Sequence, residues 1–240
     1  MKLKKFLFVF AHPDDETVAC AATIQQLVQS GAEVALCLVT DGGAGEVMPK
    51  ARKTLNKLGS ISALRKQEMT AAQQHLGISQ IIELGYPDGS LNNQAVWGKL
   101  TSKVTEIIDE FKPDVVITFD HTGWYFHLDH VGTSIATTIA FHQATAKPKA
   151  LLLSHFYVKS DKWRYVFGPQ RVTHRVKMLD RAHKLQAIEL HQSQDLRTPH
   201  ELVCGDDEHC EWYEVAFAES GFLSALKKQG IFEQHDTTLG

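Results

Sequence analysis

Apolar and polar positions along this chain alternate between two kinds of segment. KKFLFVFA (4–11), EVALCLVT (33–40), DVVITF (114–119) and ALLLSHFYV (150–158) are largely apolar runs of strand length, and QIIEL (80–84) is a shorter one. Between them the apolar residues recur at helical spacing. DETVACAATIQQLVQSG (15–31) carries Val18, Ala21, Ala22, Leu27 and Val28 on one side and stops at Gly31. Further helical patterns cover Ser62–Leu76, Ala95–Phe111 (ended by Lys112-Pro113), Leu128–Ala144 and Leu179–His191. Strands alternating with helices predict an α/β fold with a mainly parallel sheet covered on both faces. Val47–Gly59, with Pro49 and four lysines or arginines, reads as a mobile surface loop, and the tail from Thr198 gives no assignable element. No repeat and no Pro/Gly/Ser linker interrupts the pattern, so residues 1–240 read as one domain with a core of about 5–195 and a C-terminal extension at 196–240.

In such a sheet, ligands bind beyond the carboxyl ends of the strands, which directs attention to the segment after each one. Composition narrows the classes. The 240 residues are 43% hydrophobic, with 25 Lys plus Arg against 28 Asp plus Glu and a net charge of −3. That balance speaks against a nucleic-acid partner, which a basic surface would favour. Phe6–Ala11 and Val34–Val39 are far shorter than the roughly 20 residues of a membrane-spanning helix, so no integral membrane segment is expected. Lys2, Lys4 and Lys5 ahead of FLFVFA imitate a signal peptide, but three acids follow at once, and the run reads better as a first buried strand. Cys20, Cys37, Cys204 and Cys210 form no CxxC pair, which fits reduced thiols and a cytoplasmic protein. Thirteen histidines outnumber the 4 Cys and 4 Met together, so their placement matters.

Directly after the first strand stands HPDDE, His12 to Glu16. Pro13 biases His12 toward an extended conformation and sets up the helix entry. Capping of the helix dipole would account for one or two of the acids, but not for a histidine beside them at the end of a buried strand. His12 and Asp15 are good Zn²⁺ ligands, and Asp14 is left beside them to take a proton from an attacking water. After DVVITF comes a second group, His121, His127 and His130 with Asp120 and Asp129, within eleven residues. A catalytic zinc wants three protein ligands and an open fourth position, and this group offers the third. DGGAG (41–45) is neither GxGxxG nor a Walker sequence and reads as a glycine loop bordering the cleft. CGDDEHC (204–210) has thiols, acids and a histidine but no second thiol pair, and reads as an acidic surface loop rather than a second metal site.

These segments resemble a known family. AHPDDE (11–16) is similar to the signature of the PIG-L/LmbE-like zinc-dependent N-deacetylases, and HLDH (127–130) to that family's second motif. LRKQEMTAAQQHLGISQIIELGYPDGSL (64–91) resembles its RxxE helix and LGYxDG turn, and KLQAIELHQSQ (184–194) its KxxAxxxHxSQ pattern. The resemblance implies a Rossmann-like three-layer sandwich with the metal site at the carboxyl ends of the strands. It implies Zn²⁺ on His12, Asp15 and His130, with Asp14 as general base. His127 would stabilise the oxyanion or protonate the leaving amine, and Asp129 would orient His127. Arg65 would lie near the substrate or pair with Glu68, and Trp124, with Tyr125 and Phe126, would stack on a sugar, shield the metal or pack on the sheet. Asp88 reads as a turn residue and His191 as a helix-packing one. The implied reaction is hydrolysis of an N-acetyl group from an amino sugar or N-acetylglucosamine-type glycoconjugate. The alternatives are an amidase for another small-molecule amide and a non-catalytic metal- and sugar-binding protein. The implied partner is a small N-acetylated sugar, and because relatives often assemble, a homo-oligomer is compatible with the resemblance. Leu128 stands where the family commonly has Pro, which removes a backbone restraint but no ligand.

Overall fold

A computed structural model describes residues 3–155, 170–205 and 209–239. Eight strands form one sheet: β1 (Lys5–Phe10), β2 (Glu33–Thr40), β3 (Gln80–Tyr86), β4 (Val115–Phe119), β5 (Ala150–His155), β6 (Gln170–Lys177), β7 (Cys210–Ala218) and β8 (Glu233–Leu239). Their order is 3-2-1-4-5-7-6-8. The pairs β1–β2, β1–β4, β2–β3 and β4–β5 are parallel, whereas β5–β7, β6–β7 and β6–β8 are antiparallel. The sheet is therefore mixed. The parallel strands expected from the apolar runs make up the first block, and three antiparallel strands, not expected from the sequence, extend it.

The helices are α1 (Asp15–Gln29), α2 (Arg52–Leu58), α3 (Ile61–Leu76), α4 (Gln94–Phe111), a one-turn α5 (Gly123–Phe126), α6 (Leu128–Gln143), α7 (Arg181–Glu189), α8 (Arg197–Gly205) and α9 (Phe222–Gln229). The period-2 geometry of β1 sends Phe6, Phe8 and Phe10 to one face and Leu7 and Val9 to the other. Phe6, Phe8 and Phe10 pack with Cys20, Ile24 and Leu27 of α1 and Met69 and Leu76 of α3. Leu7 and Val9 pack with Leu100, Val104 and Ile108 of α4 and Ala136 and Ala140 of α6. Burying each such side chain favours folding by about 1.5–3 kcal/mol, which is why β1 tolerates no polar position after Lys5. Val47–Gly59 is not an open loop. A short 3₁₀ turn (Pro49–Ala51) leads into α2, which buries none of its own residues and ends at Gly59 with φ 81°.

The strand order reverses between β1 and β4, so their carboxyl ends open a crevice. His12 leaves one side of it and the His121–His130 segment leaves the other.

Candidate metal centre

The turn between β1 and α1 carries the first group. Asp14 stands at the N-cap of α1 with φ 137° and ψ −22°, and its side chain caps no helix amide. Positive φ at a non-glycine residue is strained by about 1–3 kcal/mol and persists only where neighbours hold it. Arg65 of α3 does so. Its Nη2 lies 3.2 Å from Asp14 Oδ1, its Nη1 donates to Asp14 Oδ2, and Nη2 also donates to the Pro13 carbonyl. The glycine loop fits against the same group: Gly42, at φ +62°, leaves room where a Cβ would come within 3.0 Å of Arg65 Nε and Pro13 Cδ. Arg65 is 3% exposed and holds Asp14 and the Pro13 carbonyl, and Glu68 accepts from Ser193 N and Oγ at 2.7 and 2.6 Å rather than from Arg65.

His12, Asp15 and His130 converge. His12 Nδ1 is 3.1 Å from His130 Nε2 and 3.5 Å from Asp15 Oδ2, and His130 Nε2 is 3.3 Å from Asp15 Oδ1. Ligands of a tetrahedral zinc, each at about 2.0–2.1 Å, stand roughly 3.3 Å from one another, close to the 3.1 Å between the two histidine nitrogens, with one oxygen of Asp15 near each of them. His12 Nε2 faces Asp88 Oδ1 at 3.1 Å and Asp129 Oδ2 at 3.2 Å. Both carboxylates are acceptors, so His12 carries a proton on Nε2 and Nδ1 faces the other two donors. Burial alone would lower the His12 pKa, but hydrogen bonds to Asp129, Asp15 and Asp88 raise it well above the ordinary value. Burial would raise Asp15, yet His130 and His12 hold its carboxyl far below the usual range. Burial, aided by Asp15, pushes Asp14 up against the pull of Arg65. A divalent cation would take the place of the excess proton. His12, His127 and His130 also bring one ring nitrogen each within 4.8 Å of the others.

The segment after β4 is bent to deliver its histidines. Asp120 accepts from Thr122 N and Trp124 N, and φ is positive at Gly123 (60°), Trp124 (62°) and Phe126 (62°). Gly123 is required there, since a Cβ would meet His130 Cβ and Val131 N at 2.8 Å. His130 is fully buried and stacks on Phe119 at 4.1 Å between centroids. His127 is half-buried with its ring 4.8 Å from that of His12, and its pKa is lowered by burial, then by His130 and His12, which keeps it neutral.

Two assignments change. Asp129 was expected to orient His127, but it binds His12 Nε2 and accepts from Gly89 N (2.7 Å) and Leu91 N (2.9 Å), while His127 Nδ1 has no hydrogen-bond partner among the described residues. Trp124 is 3% exposed, donates from Nε1 to Ser154 O and packs on Phe10, Phe119 and His130, so it is core rather than a sugar platform. The exposed members of that run are Tyr125, Phe126 and Leu128, 50–56% accessible. Asp88, a turn residue by its Pro-Asp-Gly sequence, also touches His12, and that hydrogen bond brings its pKa down to about 2. His191 is indeed a packing residue, buried against Thr17 Oγ1 at 3.3 Å. His121 is exposed and, among the described residues, reaches Ser134 Oγ at 3.0 Å. Of the CGDDEHC segment, residues 206–208 lie outside the described residues.

The chain is similar to known proteins in sequence and in fold. The family profile described as PIG-L, GlcNAc-PI de-N-acetylase, matches residues 7–141. The chain is 35% identical over 156 residues to a 1D-myo-inositol 2-acetamido-2-deoxy-alpha-D-glucopyranoside deacetylase of Mycobacterium sp. (strain KMS), covering 58% of this chain and 51% of that protein. It is 30% identical over 158 residues to a mycothiol S-conjugate amidase of Streptomyces coelicolor, covering 60% of this chain and 54% of that one. The chain thus spans about half the length of the curated relatives it matches. In fold, it is similar to the N,N'-diacetylchitobiose deacetylase from Pyrococcus horikoshii, with TM-score 0.67, 22% identity, and coverage of 89% of this chain and 84% of that one.

Proposed function

The chain belongs to the PIG-L family, whose profile spans more than half of it, and on that premise we propose that it is a zinc-dependent hydrolase that removes the N-acetyl group from an amino sugar or N-acetylglucosamine-type conjugate. The observation that carries this reading is the set of three donors, His12 Nδ1, Asp15 and His130 Nε2, 3.1–3.5 Å apart beside Asp14 and His127. These three would hold Zn²⁺, which supplies the Lewis acidity that polarises an amide carbonyl and eases deprotonation of water.

The remaining steps belong to the chain's own groups. Asp14, held by Arg65 in its strained conformation, accepts the proton of the attacking water. His127, kept neutral by its surroundings, donates a hydrogen bond to the oxygen on which charge develops. The departing amine takes a proton from Asp14 or from His127, the two groups beside the donor set that can supply one. Asp129 serves by holding His12, with Gly89 N and Leu91 N fixing its carboxylate. The single-domain reading is supported by β7 and β8 pairing into the common sheet and by Tyr213, Phe222 and Phe232 joining the main core. Buried free thiols at Cys20 and Cys37 agree with the proposed cytoplasmic location.

A second reading, cleavage of a larger or sulfur-containing amide, is favoured by the exposed Tyr125, Phe126 and Leu128 beside His127, which suit an apolar substrate portion. Acetate release from N-acetylglucosamine conjugates and acid release from thiol-conjugate amides, measured with metal content and an Asp14→Asn control, separate the two. Zinc binding with no acid released from any amide would leave only a binding protein.

A further inference from the structure

We propose that Glu68 of α3 and Ser193, in the segment between α7 and α8, are positioning residues that latch the loop after β2 (41–48) at the rim of the substrate cleft. That a substrate enters there rests on the hydrolase reading above; the latch rests on geometry. Glu68 is 6% exposed, and burial raises its pKa against the pull of hydrogen bonds from Ser193. Arg65, three residues earlier on the same helix, is engaged by Asp14 and the Pro13 carbonyl. Both Glu68 oxygens go to a single residue: Oε1 accepts from Ser193 N at 2.7 Å and Oε2 from Ser193 Oγ at 2.6 Å. A carboxylate taken out of water is costly, and a helix that only had to pack would do better with an apolar side chain there.

Ser193 is fully buried and passes the grip on. Its Oγ accepts from Gln194 Nε2 at 2.8 Å while donating to Glu68, and its carbonyl accepts from Met48 N at 2.9 Å. Met48 closes the loop that starts at Asp41. Near the start, Gly42 lies against Arg65 and Pro13, and in the middle a Cβ added to Gly45 would stand 3.8 Å from Gln194 Oε1. Helix α3 therefore holds the loop twice, at its start through Arg65 and at its end through Glu68 and Ser193. Between these grips Ala44 and Glu46 are exposed. The loop leaves the carboxyl end of β2, the neighbour of β1 in the sheet, on the edge where such folds bind ligands. Its first glycine touches the turn that carries Asp14, so its position sets one wall of the space a substrate enters. The latch also gives a physical reason for two pieces of sequence that the reaction leaves unused, the Glu of LRKQE and the Ser of HQSQ.

The test is hydrogen exchange of the full-length protein followed by mass spectrometry, alongside acetate release from N-acetylglucosamine conjugates. Glu68→Ala is expected to speed exchange in the peptide holding Met48 about 10- to 100-fold, the weight of hydrogen bonds to a charged group, with β1 and β4 peptides unchanged. KM for the conjugates should rise several-fold while kcat and zinc content hold. Glu68→Gln, whose amide oxygen still accepts from Ser193, should recover much of the protection and of KM. Ser193→Ala, which keeps the Ser193 amide and carbonyl bonds, should show a smaller change of the same kind, and it decides the matter if Glu68→Ala folds poorly. Unchanged loop exchange, or β1 and β4 accelerating together with the loop, would make Glu68 a packing residue and overturn the proposal. Faster loop exchange with KM unmoved would overturn the loop's part in substrate binding. If wild type releases no acid from any amide, the hydrolase reading falls, and the exchange rates still decide the latch.

Discussion

Replacing Lys184 by Met should unfold the protein at markedly lower temperature, for a reason that lies in β7 and outside the metal centre. Lys184 Nζ lies 2.6 Å from Glu211 Oε1, and the two side chains are 3% and 0% exposed. Glu211 also accepts from Ala22 N (2.9 Å), Thr23 N (2.8 Å) and Thr23 Oγ1 (2.6 Å), so one carboxylate ties β7, α1 and α7 together. At an effective dielectric of about 20, the gross attraction at this distance is about 6 kcal/mol. Desolvation of both ions offsets most of that in the intact pair. Removing only the lysine leaves the desolvated carboxylate without its counter-charge and costs about 3–5 kcal/mol. For a chain of this length each kcal/mol moves Tm by about 2–4 °C, so thermal unfolding followed by circular dichroism should show a drop of roughly 6–20 °C. Lys184→Met combined with Glu211→Gln should recover about half of it, because a neutral buried pair lacks the stranded charge. A fall of less than about 2 °C in the single variant would refute the reasoning.

Other expectations concern the site and its supports. Asp14→Asn should retain zinc but lose about 10²- to 10⁴-fold in acetate release, the range of a lost general base, and near-wild-type turnover would remove Asp14 from that role. Gly123→Ala forces a Cβ to 2.8 Å from His130 Cβ at φ +60°, so zinc affinity should fall together with Tm; an unaffected zinc titration would show that the loop can yield without moving the ligand. His191 is buried neutral, its pKa lowered to about 3 by burial and then by Arg65. A depressed folded-state pKa means stability is fully present above the ordinary value of 6.5 and is lost as pH falls toward 3, at about 1.4 kcal/mol per pH unit. His191→Gln should flatten that acid limb in urea titrations between pH 6 and about 4, and an unchanged slope would assign the limb to other groups.

The parallel half of the fold was legible because strands buried on both faces leave uninterrupted apolar runs, as in FLFVF and VVITF. The antiparallel half was not. QRVTHRVK and EQHDTTL, β6 and β8, are largely polar, and nothing in them outweighs the loop signal around them. Helix α2 escaped notice for a related reason, having no buried residue to create a periodic stripe. In the site, position after a buried strand pointed to His12, Asp15 and the His121–His130 group, the family resemblance singled out His130, and the fold brings His12, Asp15 and His130 together. Partner choice was harder. Arg65 and Glu68 sit on one helix turn, yet each finds its partner on another segment, Asp14 and Ser193. Asp88 lay hidden in a Pro-Asp-Gly sequence that any turn would justify.

His12 and His130 face each other across 118 positions of chain, and that separation has a kinetic meaning. Bringing ends so far apart into contact costs about 4 kcal/mol of loop-closure entropy before any local contact returns it. The pairing that meets this cost is β1 with β4, Phe6 beside Val115 and Phe8 beside Ile117, at the centre of the sheet. The donor set therefore comes into being only once the central strands have found their register. Metal cannot nucleate this fold as it does a zinc finger. Zinc uptake during refolding should trail the recovery of helical signal, which makes it a clock for the completion of the parallel block.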